Sequence, residues 1–216
     1  PAKYLYTRLY DDTSPQYHRM WDLRQPLVEG VFWLTCAARR GSKDAVMHLS
    51  KVYATTNDAE QLLNVRKLGA RAGHVDLMLD VADMYMRGVG HPADASKARA
   101  WFVRAARRGS VFGMMRAAEM YPEKTRSAYW IRKATSEENL PTLMDIARQY
   151  VHSEKTDEQQ RGRWWIKQGV RGMVVLGTRY MKSEDKEIQE RGWRWLERAT
   201  EENHVPAMMS LAMHHL

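Results

Sequence analysis

Met84-Tyr85-Met86-Arg87-Gly88-Val89-Gly90, then Asp94, then Lys97-Ala98-Arg99-Ala100-Trp101-Phe102-Val103-Arg104-Ala105-Ala106-Arg107-Arg108-Gly109 is the stretch on which the fold turns. Tyr85 closes an apolar segment in which Val81 and the small Ala82 lie one turn before it, so a neighbouring helix can come close at Ala82. Trp101 opens a second segment. A large residue, a four-residue step to Ala105-Ala106 and then Gly109 describe a helix with one packing face and a left-handed C-terminal cap.

Both halves recur along the chain. Tyrosine returns at Tyr53, Tyr85, Tyr121, Tyr150 and Tyr180, at spacings of about 29 to 36 residues, inside the range of helical repeats. Ser50, Ala82, Ala118, Ala147 and Gly177 hold the small position before each, and Leu49, Val81, Ala117, Ile146 and Leu176 precede those. The second half returns as Trp33 to Ala38 with Gly41, Trp130 to Thr135 with Asn139, Trp164 to Gly169 with Gly172, and Trp195 to Thr200 with Asn203. A degenerate copy runs from Val65 through Gly69-Ala70 to Gly73. Two alternating helix types without strand-like alternation predict an all-α chain, an α/α solenoid or superhelix of helix–turn–helix, tetratricopeptide-like repeats. About five to six repeats are expected over residues 30–216, with six helices of each type, the last from Pro206 to Leu216. Residues 1–29, with Tyr4, Tyr6, Tyr10, Pro15 and Pro26, read as an irregular or capping segment. Because the sequence stops directly after a helix of the first type, a trimmed or mature fragment is expected.

The opening stretch resembles the Sel-one-like repeat (SLR), whose pattern is Tyr-x-x-Gly-x-Gly, a short loop, then Lys-Ala-x-x-Trp-Phe-x-Lys-Ala-Ala-x-x-Gly. The unit from Met84 to Gly109 carries almost all of it; the other units keep the Tyr and Trp skeleton but lack the Gly-x-Gly loop. The resemblance implies a scaffold, adaptor or inhibitor that binds proteins and carries no catalytic residues of its own.

Composition agrees with a folded binding module. Of 216 residues, 44% are hydrophobic and 28% charged, which are globular values. No segment approaches the roughly 20 apolar residues of a membrane span, and no basic leader precedes an apolar run. Cys36 is the only cysteine, which excludes an intrachain disulfide and a thiolate cluster; in the context Thr35-Cys36-Ala37-Ala38 it reads as a buried packing thiol. The net charge of +8 concentrates on the second helices, at Arg39, Arg40, Arg66, Lys67, Arg104, Arg107, Arg108, Arg132, Lys133, Arg163 and Lys167, expected on the convex outer face.

Counting back from each tyrosine, the positions nine, five and two before it share one helical stripe. The stripe comprises Asp44, His48 and Lys51; Asp76, Asp80 and Asp83; Phe112, Arg116 and Glu119; Pro141, Asp145 and Arg148; and Val175 and Thr178. It is mainly polar between Leu, Met, Val and Ala, and by analogy with related solenoids it faces the concave side. We read it as the partner-binding face, joined by Met84 and Met120, whose places just before the tyrosines suggest exposure in the groove, while most other methionines fill the core.

Catalysis finds little support. His18, His48, His74, His91, His152 and His204 lack an acid partner at a shared spacing, and adjacent His214-His215 face different ways on a helix. Glu137-Glu138-Asn139 and Glu201-Glu202-Asn203 fall at equivalent helix ends in two units and read as duplicated features of the repeat. No nucleotide loop or zinc motif appears, so the expectation is no enzyme, no cofactor, no metal and no small-molecule substrate. A protein partner is expected. Family analogy favours a bacterial immunity protein that neutralises a secreted toxin effector, such as a lipase, in the periplasm. A cell-envelope scaffold or a signalling adaptor is the alternative in the same class, and a cytoplasmic site the alternative location. Binding of nucleic acid or an anionic surface through the basic face is the reading of another class, weakened because the repeat skeleton already accounts for the tryptophans that would stack on bases.

Overall fold

A computed structural model of the chain describes residues 28–215. The irregular or capping segment expected at the N-terminus falls almost entirely outside the described residues, as does Leu216. Among the described residues there are eleven helices and no strand. They are α1 (residues 28–39), α2 (Lys43–Thr55), α3 (Ala59–Ala72), α4 (Val75–Arg87), α5 (Ala95–Arg107), α6 (Val111–Met120), α7 (Lys124–Ala134), α8 (Leu140–Val151), α9 (Thr156–Tyr180), α10 (Lys186–Glu201) and α11 (Val205–His215). The chain divides into two compact units, one ending at Asp94 and the other beginning at Ala95. Within each unit helices pack sequentially on their neighbours, the arrangement of an α-solenoid built from helical hairpins.

The short turns follow from a device that ends one helix and begins the next. Gly109 sits at φ +89°, in the left-handed region where a Cβ is costly. Its N–H donates to the Ala106 carbonyl and that of Ser110 to the Ala105 carbonyl, so the small pair of the repeat supplies the acceptors of a Schellman cap. The Ser110 side chain then accepts from the Gly113 N–H and starts α6. Gly41-Ser42 does the same between α1 and α2. Asn203, at φ 57°, and Gly73 also turn left-handed as expected.

Two expected caps are not left-handed. Asn139 has φ −95°; instead its side-chain Nδ2 donates to the Lys133 carbonyl at 2.9 Å, closing the wider turn made by the extra residues Ser136 to Glu138. Gly172 stays helical, so the two helices expected on either side of it are one helix of 25 residues, α9. The residue after Gly172 is Met173, with no side-chain oxygen to cap a new N-terminus. The N-terminal part of α9 packs on α8 through Gly162 and Gly169, and its C-terminal part on α10 through Gly177. One helix thus serves as second helix of one repeat and first helix of the next, which gives eleven described helices rather than the twelve expected.

In the first unit the core is built from Val46, Leu49, Leu63, Leu77, Val81 and Tyr85. Met84 belongs to it at 4% exposure, contrary to the expectation of a groove position: it faces inward with Val81 and Leu77, one and two turns away. In the second unit Trp130, Leu140, Leu143, Met115 and the fully buried Trp165 anchor the core. Cys36, expected to be buried, is partly exposed.

Among the glycines of this unit, Gly162 lies nearest to the backbone of a neighbouring helix. A Cβ there would lie 2.6 Å from the Ala147 carbonyl oxygen and 2.8 Å from the Val151 nitrogen, both backbone atoms that cannot yield without moving a helix. Gly162→Ala should therefore lower stability by about 1–3 kcal/mol, seen as an earlier urea midpoint with an unchanged denaturant slope; an unchanged midpoint would contradict this packing.

Candidate functional site

The expected stripe reaches the surface, and the two units use it differently. In the first unit Asp44, His48 and Lys51 are exposed on α2, and Asp76 and Asp83 on α4, with Asp80 half-buried between them. Each α4 carboxylate has a cation of the same unit beside it. Lys43 Nζ lies 2.8 Å from Asp76, Arg66 Nη1 lies 2.7 Å from Asp80, and Arg87 pairs with Asp83. Burial pushes the Asp80 carboxyl above its ordinary value, an effect that the Arg66 guanidinium opposes and Asp76 and Asp83 reinforce. Lys43 instead holds Asp76 below its ordinary range, outweighing a larger contribution from burial in the other direction.

In the second unit the stripe turns partly inward. Glu119 and Arg116 pair with each other at side-chain exposures of 17% and 15%, far less than Asp76 at 54%. The indole Nε1 of the buried Trp165 donates to Glu119 Oε1 at 2.7 Å, and Arg161 approaches Glu119 Oε2 at 3.5 Å. The Arg116 guanidinium also lies over the Phe102 ring, 5.3 Å from its centre. Arg116 and Glu119 are thus engaged inside the fold, holding Trp165 in place. Phe112 and Met120 are partly buried, as is Thr178, whose hydroxyl donates to the Val174 carbonyl at 2.7 Å. Pro141, Asp145, Arg148 and Val175 are exposed, and Arg148 Nη2 reaches Glu202 at 2.8 Å.

The paired glutamates at helix ends therefore have a cross-helix role that spacing did not reveal. Glu137 accepts from the Tyr180 hydroxyl and from Arg191 Nη2, the latter at 2.6 Å. Burial pushes its carboxyl up, but these hydrogen bonds prevail and hold it below its ordinary value; the same contact pushes the Tyr180 hydroxyl up. A further pattern links these residues. Ser153, Gln159, Arg161, Gly162 and Trp165 recur as Ser183, Gln189, Arg191, Gly192 and Trp195, with Gln159 and Gln189 each donating to the carbonyl of its serine. In both copies the arginine, one turn before the tryptophan, covers the ring of the preceding repeat tyrosine: Arg161 over Tyr150 at 6.0 Å and Arg191 over Tyr180 at 5.6 Å. Arg126, one turn before Trp130, covers Tyr121 at 5.6 Å in the same way. The signal was an Arg-x-x-x-Trp step that follows each of these three tyrosines.

A groove of about 1120 Å³ opens in the second unit between the C-terminal ends of α5 and α7, the turn around Ser136 and the middle of α9. Exposed Tyr129 and Val175 lie on its walls, with Arg132 and Arg171. Among the described residues no group of three or more His, Cys, Asp or Glu could hold a metal ion.

With this geometry in hand, a protein-family model for the Sel1 repeat matches residues 27–42, 75–110 and 171–204. Three stretches of the chain thus match the Sel1 repeat. The third matched segment begins inside α9, so the repeat boundary falls near Gly172 even though the backbone runs helically through it. Modules of Sel1 repeats are generally protein-interaction scaffolds. None of the curated proteins matches the sequence. Among solved structures, a Sel1 repeat protein from Oxalobacter formigenes aligns at 19% identity and a TM-score of 0.43, over 85% of this chain and 58% of that one. A protective antigen present in uropathogenic Escherichia coli strains, displaying an SLR fold, aligns at 18% identity and a TM-score of 0.45, over 84% of this chain and 43% of that one. The Sel1-repeat chain described here therefore spans about half the length of these two proteins. Among the described residues no helix is long and apolar enough to cross a membrane.

Two outcomes follow for the Sel1-repeat chain. Glu119→Ala strands the buried Trp165 N–H without an acceptor and should cost about 1–3 kcal/mol, with a changed Trp fluorescence maximum before unfolding; a variant as stable as the parent would refute that role. The second concerns pH. Glu137, with an ordinary value of 4.5, is lowered by folding, so its contribution is complete above that value and is lost as pH falls through the folded one. Tyr180, ordinarily at 10.0, is raised, so its contribution is lost as pH rises through the raised value. Thermal midpoints should show Glu137→Gln closest to the parent at acid pH and furthest from it near neutrality; a constant difference across pH 3–7 (a range of about two units around that carboxylate) would contradict the contact.

Proposed function

We propose that this chain binds a partner protein through the acidic stripe of its first unit, and that it does so as a bacterial immunity protein neutralising a secreted toxin effector in the periplasm. The observation that carries the reading is α4. Its apolar side, Leu77, Met78, Val81 and Ala82, fills the core, while Asp76 and Asp83 stand exposed at the spacing of a single helical face with Asp80 between them. Their cations come from α2 (Lys43), α3 (Arg66) and the end of α4 itself (Arg87), which leaves Asp76 and Asp83 open to solvent on their other sides. A basic patch on a partner would find this face pre-ordered, which favours fast and specific association. Asp44, His48 and Lys51 on α2 extend the same surface. The general use of Sel1 repeats as interaction scaffolds supports the binding role, and the neutralising role deepens it. In this reading the chain performs no catalysis; a lipase is the effector class to try first.

The test is co-expression with secreted effectors whose production arrests growth of cells lacking this chain. The parent should restore growth and titrate the purified effector at one-to-one stoichiometry. Asp76→Arg combined with Asp83→Arg should weaken binding about tenfold or more and abolish protection, with an unchanged circular dichroism spectrum. Protection that persists in the double variant would rule out the stripe as the contact, and a complex formed without protection would favour a scaffold or adaptor.

A further inference from the structure

The groove of the second unit lies on other elements than the acidic helix α4 of the first, although Val175 on its wall is itself a stripe position, and its chemistry is of the opposite sign to that of α4. Its volume of about 1120 Å³ is at the upper end of ordinary ligand pockets, and it is open rather than enclosed. Arg107, Arg132, Lys133 and Arg171 surround it, all exposed, and none is paired with a carboxylate among the described residues. Other cations of this unit divide in this respect: Arg116, Arg126, Arg148, Arg161 and Arg191 each have an acidic partner, whereas Arg163 and Lys167, like the four at the groove, have none among the described residues. Arg107, Arg132 and Lys133 lie in the last turns of α5 and α7, where a cation also offsets the negative end of the helix dipole. Arg171 is in the middle of α9 and has no such role.

The apolar part of the groove is equally specific. Tyr129 is 48% exposed and Val175 57%, both on its walls. The floor exists because α9 continues through Gly172: a Cβ there would lie 2.9 Å from that of Thr135, so the absence of a side chain lets α9 reach the end of α7. Of the two carboxylates at the rim, Glu137 is already held by Tyr180 and Arg191.

We propose that this groove docks an acidic, extended segment of a partner protein, with carboxylates on Arg107, Arg132, Lys133 and Arg171 and an apolar side chain set between Tyr129 and Val175. Charge complementarity selects the acidic class, and bidentate guanidinium–carboxylate pairing supplies direction. Walls that are apolar between the cations, at Tyr129 and Val175, favour a peptide with an apolar side chain to place there over a phosphodiester strand. The proposal rests on the protein-binding reading but places a second contact away from the acidic stripe.

The experiment is fluorescence anisotropy on the full chain with the labelled peptide Glu-Asp-Glu-Phe-Leu-Glu-Asp-Glu, its Phe-Leu→Ser-Ser counterpart, an oligothymidylate and vesicles of phosphatidylglycerol. The first peptide should bind, and the Ser-Ser peptide should bind about tenfold more weakly. Arg132→Glu with Arg171→Glu should reduce affinity by at least about tenfold, Tyr129→Ala by several-fold, and Arg163→Glu, exposed on α9 outside the groove, should leave it unchanged. Asp76→Arg with Asp83→Arg should also leave it unchanged, which separates this proposal from the stripe. Circular dichroism checks that each variant folds. Failure of the peptide to bind, equal binding by the groove variants, or binding only of the oligonucleotide or the vesicles would each overturn the proposal.

Discussion

At Gly162 the backbone of α9 comes so near that of α8 that no side chain fits between them, and the placing of the large residues around it follows from that contact. Once the helices touch there, Arg161 lies beside the Tyr150 ring and Trp165, one turn further on, is driven fully into the core. A related arrangement recurs around Gly192, where a Cβ would lie 2.8 Å from that of Tyr180, with Arg191 over that ring and Trp195 partly buried against the core. Tyrosine, arginine, glycine and tryptophan therefore act as one contact unit. The small residue sets the distance, the ring and the guanidinium close its edge, and the indole supplies the buried area.

The energetic weight of the polar contacts is uneven. Exposed pairs such as Lys43–Asp76 or Arg194–Glu190 contribute little to stability and are screened by salt. The hydrogen bond from Trp165 to Glu119 matters more, because an unanswered indole N–H in a fully buried position costs its whole desolvation. Arg116 and Arg161 make that carboxylate tolerable at low exposure. A good part of the positive charge of the chain is thus consumed internally, on rings and carboxylates.

Much of the fold was legible in the sequence because repetition is itself a structural signal. Tyr, small residue, Trp and small pair each report one side of a helix, and Gly41, Gly73, Gly109 and Asn203 mark turns that the backbone makes as expected. Gly172 misled because a glycine ends a helix only when the following residues can begin another; Met173 offers no cap, and packing on both α8 and α10 rewards continuity. The candidate site was less legible. Helical periodicity separated polar from apolar faces correctly, yet Arg116 and Glu119 show that a polar position on an outer stripe can be drawn inward by a partner far along the chain. Met84 erred in the other direction: a residue next to the repeat tyrosine shares its burial. The links from Glu137 to Arg191 and from Glu202 to Arg148 join residues more than fifty positions apart, which no local pattern reports.

The continuous α9 alters how this array comes apart. In an ordinary array of helical repeats each unit has its own pair of helices, so unfolding can proceed one unit at a time, with nearest-neighbour contacts setting the cost. Here 25 residues, a rod about 37 Å long, are common property of two successive repeats. Neither repeat can fray without removing the wall on which the other rests. The segment from α8 to α10 thereby becomes a single cooperative block, and thermal breathing is displaced toward the helices on either side of it.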